Sequence, residues 1–311
     1  MSKLDGVKAT FTPEKAQRAG PSREAAQAAD RKMESPGRGE RIAASQTETS
    51  EATLPKVNGN NGNKELPSPF LLPGERTNAA GKPVANAILL SIPDHEFSLL
   101  RPHLQFVTLP HHRSIHEPNR RLDFAYFLNS GMISLVVTTR KGESVEVGVV
   151  GNEGFTPLPV VGGLRRSPQR AMVQVAGEGF KVSVDALLAN LPSSPQLQLS
   201  LYRYAAVYGL QVAQTAGCNR LHDLGQRLAR WLLLTQDRVC SGLLRITHDF
   251  LATMLGTDRP SVSLAAAALQ RKRIIEYTHG AVKILNRKKL ETSACECYGV
   301  IRQFNGELAL R

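Results

Sequence analysis

The sequence predicts an α+β fold in which an antiparallel roll of short strands feeds into a helical carboxy-terminal half. Three observations lead there. Apolar residues make up 41% of the 311-residue chain but are scarce over residues 1–84. From Val107 to Val184 they alternate in short runs broken by turn residues, the period of strands. From Ser193 onward they recur at helical spacing, and a hairpin pattern closes the series.

Residues 1–84 are rich in Ala, Ser, Gly, Asn, Pro, Gln and Glu and include "VNGNNGNKELPSP". Such a composition cannot bury enough apolar surface to offset chain ordering, so a disordered tail is expected, with the folded chain beginning near Val84. A short helical entry, "ANAILLSIPDHEFSLLRPHL", precedes the strands. "FAYFLNSGMISLVVTT" reads as two strands around Asn129-Ser130-Gly131, "RKGES" separates it from "VEVGVV", and "AMVQVAG" and "FKVSV" continue the roll to residue 192.

Residues 193–218 predict one long helix. Leu197, Leu201, Tyr204, Tyr208, Val212 and Thr215 fall on a single stripe of it. That stripe must be covered, either by the chain's own roll or by a second copy; the length of the helix and its two polar flanks favour a second copy. In the next helix, "LHDLGQRLARWLLLTQDR", Leu221, Leu224, Leu228, Trp231 and Leu232 share a side.

"ITHDFLATMLGTDRPSVSLAAAALQ" holds two more helices joined by a tight turn. With His248 as the first position, small Ala252 sits where a crossing helix would pass. Gly256 sits where the chain must turn with positive φ, and apolar Val262 sits where the second helix must be pinned. Thr247 suits the first helix's N-cap and Asp258 the second's, while Pro260 lies in a first turn where its missing N–H costs nothing. The pattern is a helix-turn-helix, and "IIEYTHGAVKIL" adds a hairpin wing followed by "NRKK".

Charge agrees with that reading. Of the net +12, residues 219–292 carry +7, from thirteen Lys and Arg against six Asp and Glu. A polyanion suits such a segment. With a duplex as partner, the helix starting at Asp258 would enter the major groove, Thr247, Arg259, Pro260, Ser261, Ser263 and Leu264 lying along its approach. Arg259 suits a bidentate contact to guanine or a phosphate contact, Ser261 and Ser263 suit phosphate or base edges, and Arg287, Lys288 and Lys289 suit phosphates. A protein or membrane surface is the alternative partner for a roll-plus-helix signalling module.

Other chemistry finds little support. The four cysteines, Cys218, Cys240, Cys295 and Cys297, make no disulfide framework, no apolar run suits a signal peptide or membrane span, and a reducing cytoplasm is expected. Cys295-x-Cys297 lacks a second ligand pair nearby in sequence, so no metal site is expected there. "HHRSIH" at 111–116 would put His112 and His116 on one face of a strand without a completing carboxylate, and solvated histidines are expected. "GNEG" at 151–154 and Gly162-Gly163 lack phosphate-loop context. No nucleophile elbow or acid pair points to an enzyme.

Taken together, residues 85–292 resemble the Crp/Fnr family, that of the cyclic-AMP receptor protein and the fumarate-nitrate reduction regulator. The carriers are "HEPNRRLDFAYFLNSGMISLV", "VEVGVVGNEGF", the long helix, and above all "RLARWLLL" with the helix-turn-helix and wing. The resemblance implies a homodimeric bacterial transcription factor. Its parts would be a cyclic-nucleotide-binding-like sensory roll (85–192), a dimerisation helix (193–218), a winged helix-turn-helix DNA-binding domain (219–292) and a C-terminal extension (293–311). It further implies a two-fold symmetric site with half-sites about one helical turn apart, and RNA polymerase as a partner.

Departures bear on the signal. Members that bind cyclic AMP carry a Gly-Glu pair and, a short way downstream, Arg-Ser or Arg-Thr. Here Glu153 lies seventeen residues before Arg170, which Ala171 follows, so cyclic nucleotide is not expected and Glu153 and Arg170 are only weak ligand candidates. No cysteine precedes Cys218, so the family's N-terminal iron-sulfur cluster is not expected either. Pro260 and Leu264 stand where better-known members place base-reading Glu and Arg, which predicts a different site, with Leu264 against a thymine methyl.

Overall fold

The computed structural model describes residues 71–239, 241–278 and 280–308. The expected tail therefore lies outside the described residues up to residue 70. Residues 71–84, assigned to that tail from their composition, are instead folded against the roll. Val84 is fully buried, and Asn78 Oδ1 accepts from the backbone N–H of Ala80 and Lys82 at 3.1 and 2.9 Å. Arg76, buried, donates to the Leu89 carbonyl at 2.6 Å and pairs with Asp94 at 2.5 Å. Polar side chains tie this segment down, and hydrophobic periodicity does not register them.

Two short helices, α1 (Ala87–Ser91) and α2 (Asp94–Leu100), lead into eight strands. They are β1 (Gln105–Leu109), β2 (Ser114–His116), β3 (Phe124–Leu128), β4 (Met132–Thr138), β5 (Ser144–Val150), β6 (Phe155–Thr156), β7 (Arg170–Val175) and β8 (Gly177–Ser183). They form two four-stranded antiparallel sheets, ordered β1-β8-β3-β6 and β2-β7-β4-β5. Phe127, Phe155 and Phe180, all fully buried, fill the roll's core. Gly131 turns β3 into β4 at φ +83°, with its Cα so close to the Val175 carbonyl that an added Cβ would lie 2.6 Å from that oxygen.

After α3 (Val184–Asn190), the long helix α4 runs from Pro195 to Leu221. Its predicted dimer stripe faces the chain's own roll, which corrects the expectation of a second copy. Leu197, Leu201, Tyr204, Tyr208 and Thr215 are buried and Val212 is partly buried against the roll core. The physical reason lies in two glycines. The Tyr204 ring occupies the space a side chain on Gly154 would need, and Tyr208 does the same at Gly148. The opposite face of α4 carries the exposed Leu199, Tyr202 and Leu210.

The rest of the chain comprises α5 (Leu224–Val239), β9 (Leu243–Arg245), α6 (His248–Leu255), α7 (Arg259–Arg271), β10 (Ile275–Thr278), β11 (Ala281–Ile284), α8 (Arg287–Ser293) and α9 (Cys297–Glu307). One hydrophobic core joins α5, α6, α7 and the three-stranded sheet β10-β11-β9, and it takes in Val136 of the roll. Polar contacts also cross to the roll. Trp231 Nε1 donates to Glu146 at 2.9 Å, Arg238 pairs with Glu153 at 2.9 Å, and Gln211 Nε2 donates to the Val149 carbonyl at 3.3 Å. His111 and His112 precede β2 in a turn, not on a strand face, and their rings lie 6.5 and 6.0 Å from Phe250 of α6.

Candidate nucleic-acid interface

The helix pair is fixed by its caps. Thr247 Oγ1 accepts from the Phe250 N–H at 3.2 Å and starts α6. Gly256 ends it in the left-handed region (φ 59°, ψ 48°), where L side chains are strained, and Thr257 N–H closes onto the Ala252 carbonyl at 2.9 Å. Asp258 then caps α7, accepting from Ser261 N–H and Ser261 Oγ, both at 2.8 Å. These bonds hold the Asp258 carboxyl below the usual carboxylate range. Pro260 occupies the first turn. Leu251, Leu255, Val262, Ala266 and Leu269 turn inward onto Leu228, Trp231 and Leu232 of α5, so tertiary packing fixes which face of α7 points out.

That outer face is open at Arg259, Pro260 and Leu264. Leu264 is 72% exposed, unusual for an isolated leucine on a helix whose other leucine is buried. Among the described residues, the Arg259 guanidinium is held only by an exposed ion pair to Asp249 at 3.6 Å, which leaves it available to a partner. Ser263 is partly committed: its hydroxyl donates to the Arg259 carbonyl at 3.0 Å and lies 2.9 Å from His248 Nδ1. The His248 ring stacks on Tyr277 of β10 at 3.9 Å, and burial followed by the nearby Arg259 lowers its pKa.

Sequence reasoning missed the far end of the helix. Gln270 and Arg271 line, with His248, Ser263 and Tyr277, a groove between α7 and the wing, and Tyr277 N–H donates to Gln270 Oε1 at 3.1 Å. Continuing the helical period from Leu264 through Ala268 to Arg271 would have found Arg271. Lys272 and Arg273, which follow it, and Lys283 on β11 are exposed.

Arg287 is a correction. "NRKK" starts α8 rather than ending the wing, and the Arg287 guanidinium bonds Gln236 at 2.8 Å, Asp237 at 2.6 Å, Glu291 at 3.0 Å and Tyr298 at 2.6 Å. So committed, it anchors α8 to α5 and is not open to phosphate. Lys288 and Lys289 stay exposed, at the amino end of a helix where the dipole disfavours cations.

The weak ligand candidates are not brought together. Glu153 turns to Arg238 of α5, and Arg170 pairs with Glu117 at 3.3 Å on the roll. The expectation that Cys295-x-Cys297 lacks partners also fails. Cys218 and His222, one turn apart at the end of α4, meet Cys295 and Cys297, and all four ligand atoms lie within 4.8 Å of one another. The sequence signal was the i, i+4 spacing of Cys218 and His222.

A capped helix pair, a wing and an excess of basic charge define a winged helix-turn-helix DNA-binding protein. The Crp-like helix-turn-helix domain matches residues 226–293. No curated protein matches the sequence. Among solved structures, the chain is similar to a Crp/Fnr-family transcriptional regulator from Eubacterium rectale, with 17% identity, 65% of this chain and 94% of that one covered, and a TM-score of 0.54. It is similar to FixK2 from Bradyrhizobium japonicum, with 14% identity, 62% and 98% covered, and a TM-score of 0.53. It is also similar to CLP, the c-di-GMP-responsive global regulator of Xanthomonas campestris, with 15% identity, 62% and 99% covered, and a TM-score of 0.53. At these identities the structures speak to the fold, and the domain match to the reading head. Residues 226–293 are a Crp-like helix-turn-helix domain, a DNA-binding module, and the chain shares the fold of Crp/Fnr regulators. Among the described residues, no helix is long and apolar enough to cross a membrane.

Proposed function

We propose that the protein acts in the cytoplasm as a homodimer that reads a two-fold symmetric duplex site without cyclic nucleotide. The outer face of α7 carries this reading, with Arg259, Leu264 and Arg271 open along it. Arg259 reads guanine, Leu264 packs on a thymine methyl, Pro260 and the two serines lie against the leading edge, and Arg271, Lys288 and Lys289 meet phosphates. Thr247 positions α6 through its cap.

Pairing uses the exposed face of α4. Leu199, Tyr202, Ala206, Gly209 and Ala213 recur at alternating spacings of three and four, the spacing of a coiled-coil seam, and small residues along it permit close approach. A signal at the roll reaches the reading head through Trp231–Glu146 and Arg238–Glu153, which cross between the two. RNA polymerase is the partner that the resemblance to Crp/Fnr regulators suggests.

Selection of duplexes from a random pool by the full-length protein tests the reading. An inverted-repeat motif, enriched without added nucleotide, supports it; a pool that stays random refutes it.

A further inference from the structure

We propose that Cys218, His222, Cys295 and Cys297 form a mononuclear zinc site that staples the end of the long helix to the segment joining α8 and α9. Cys218 Sγ lies 3.5 Å from Cys295 Sγ, and Cys297 Sγ lies 3.6 Å from His222 Nδ1. A tetrahedral zinc ion bonded to sulfur at about 2.3 Å sets its thiolates about 3.8 Å apart, and its sulfur-to-nitrogen separations are slightly shorter. The four ligand atoms, none more than 4.8 Å from another, are close enough to draw in around one such ion. An iron-sulfur cube holds its thiolates on separate irons and needs a wider cage.

The surroundings are those of a metal site. Cys218, Cys295 and Cys297 are nearly inaccessible, at 0, 4 and 1% exposure, and form a packed cluster of their own. Glu296 Oε1 lies 3.1 Å from His222 Nε2, so Nε2–H donates to the carboxylate and Nδ1 is left to bind, the outer-shell device that orients ligand histidines. Gln214 Nε2 donates to Cys297 Sγ at 3.1 Å, as an amide does to a metal thiolate.

Charge balance agrees. Three thiolates and a neutral imidazole on a divalent ion leave one net negative charge. Arg230, 4% exposed, bonds Thr215 Oγ1 at 3.2 Å, and Thr215 lies one turn before Cys218. A buried guanidinium there is compensated by that anion. The staple lies where α4 ends and α5 begins, so it sets how the reading head leaves the long helix.

Elemental analysis of the full-length protein, purified with reductant, is expected to give close to one zinc per chain. Cys297→Ser and His222→Ala should lose most of it, and Cys240→Ser should keep it. Because the ligand variants could fail to fold, the wild-type protein is also stripped with a chelator and titrated with cobalt(II). An intense visible band of tetrahedral cobalt with thiolate charge transfer, saturating at one equivalent and displaced by zinc, supports the site. Iron with labile sulfide in place of zinc overturns it. So does a metal-free protein that leaves cobalt in its octahedral, nearly colourless form.

Discussion

Glu146 offers a direct test of how the roll and the reading head are joined. Its carboxylate is buried where β5 meets α5, accepting from Trp231 Nε1 at 2.9 Å and lying 2.6 Å from Ser134 Oγ. Burial pushes its pKa from 4.5 up to about 7, against the opposing pull of Ser134, Trp231, Arg230 and Arg238. Ser134 Oγ donates to Glu146 and also abuts the Gln174 carbonyl oxygen. The folded state thus holds the Glu146 proton more tightly than the unfolded chain. Its contribution is whole below about pH 4.5 and is lost as the pH rises through about 7. At about 1.4 kcal/mol per tenfold change in proton affinity, the loss comes to about 3 kcal/mol. Glu146→Gln keeps an acceptor for Trp231 but cannot ionise. It should match wild type at about pH 4 and exceed it at pH 8 by up to about 3 kcal/mol. Urea unfolding across that range measures the difference. His111, His116 and His248, whose pKa values are lowered mainly by burial, act in the opposite sense and cancel in the comparison. An unchanged pH slope in the variant would refute the reasoning.

Three further outcomes follow from the reading face and the pairing face. Arg259→Ala should cost about 1–3 kcal/mol at one guanine position of the selected site and flatten preference there; a uniform loss across sequences, read by fluorescence anisotropy, would make it a phosphate contact. Lys288→Ala and Lys289→Ala should each reduce the salt slope of binding by about one, whereas Arg287→Ala should lower the unfolding midpoint by freeing α8 and leave that slope unchanged. Tyr202→Glu puts charge into the proposed seam and should shift the protein from dimer to monomer in sedimentation without altering its circular dichroism.

Much of this architecture was legible in the sequence because it rests on local rules. Thr247, Gly256 and Asp258 act within a turn or two of themselves, and their caps form as the residue types dictate. Strand alternation and the Asn129–Gly131 turn likewise announce the roll. What sequence concealed was tertiary. Helical period shows that Leu197 to Thr215 share a stripe, but the space left by Gly148 and Gly154 decides that the roll covers it. Arg287 reads as one more basic residue until Asp237, fifty residues earlier, is placed beside it. Cys218 and His222 lie seventy-seven and seventy-five residues from Cys295 and Cys297, so only the fold reveals four ligand atoms in one place.

The most direct test of the central claim is the affinity of the purified full-length protein for a selected duplex and for its scrambled counterpart, over a salt series and without added nucleotide. The account predicts binding to the selected duplex at least about a thousandfold tighter than to the scrambled one, with a steep fall as salt rises. Equal affinity for both duplexes, or binding indifferent to salt, would contradict it.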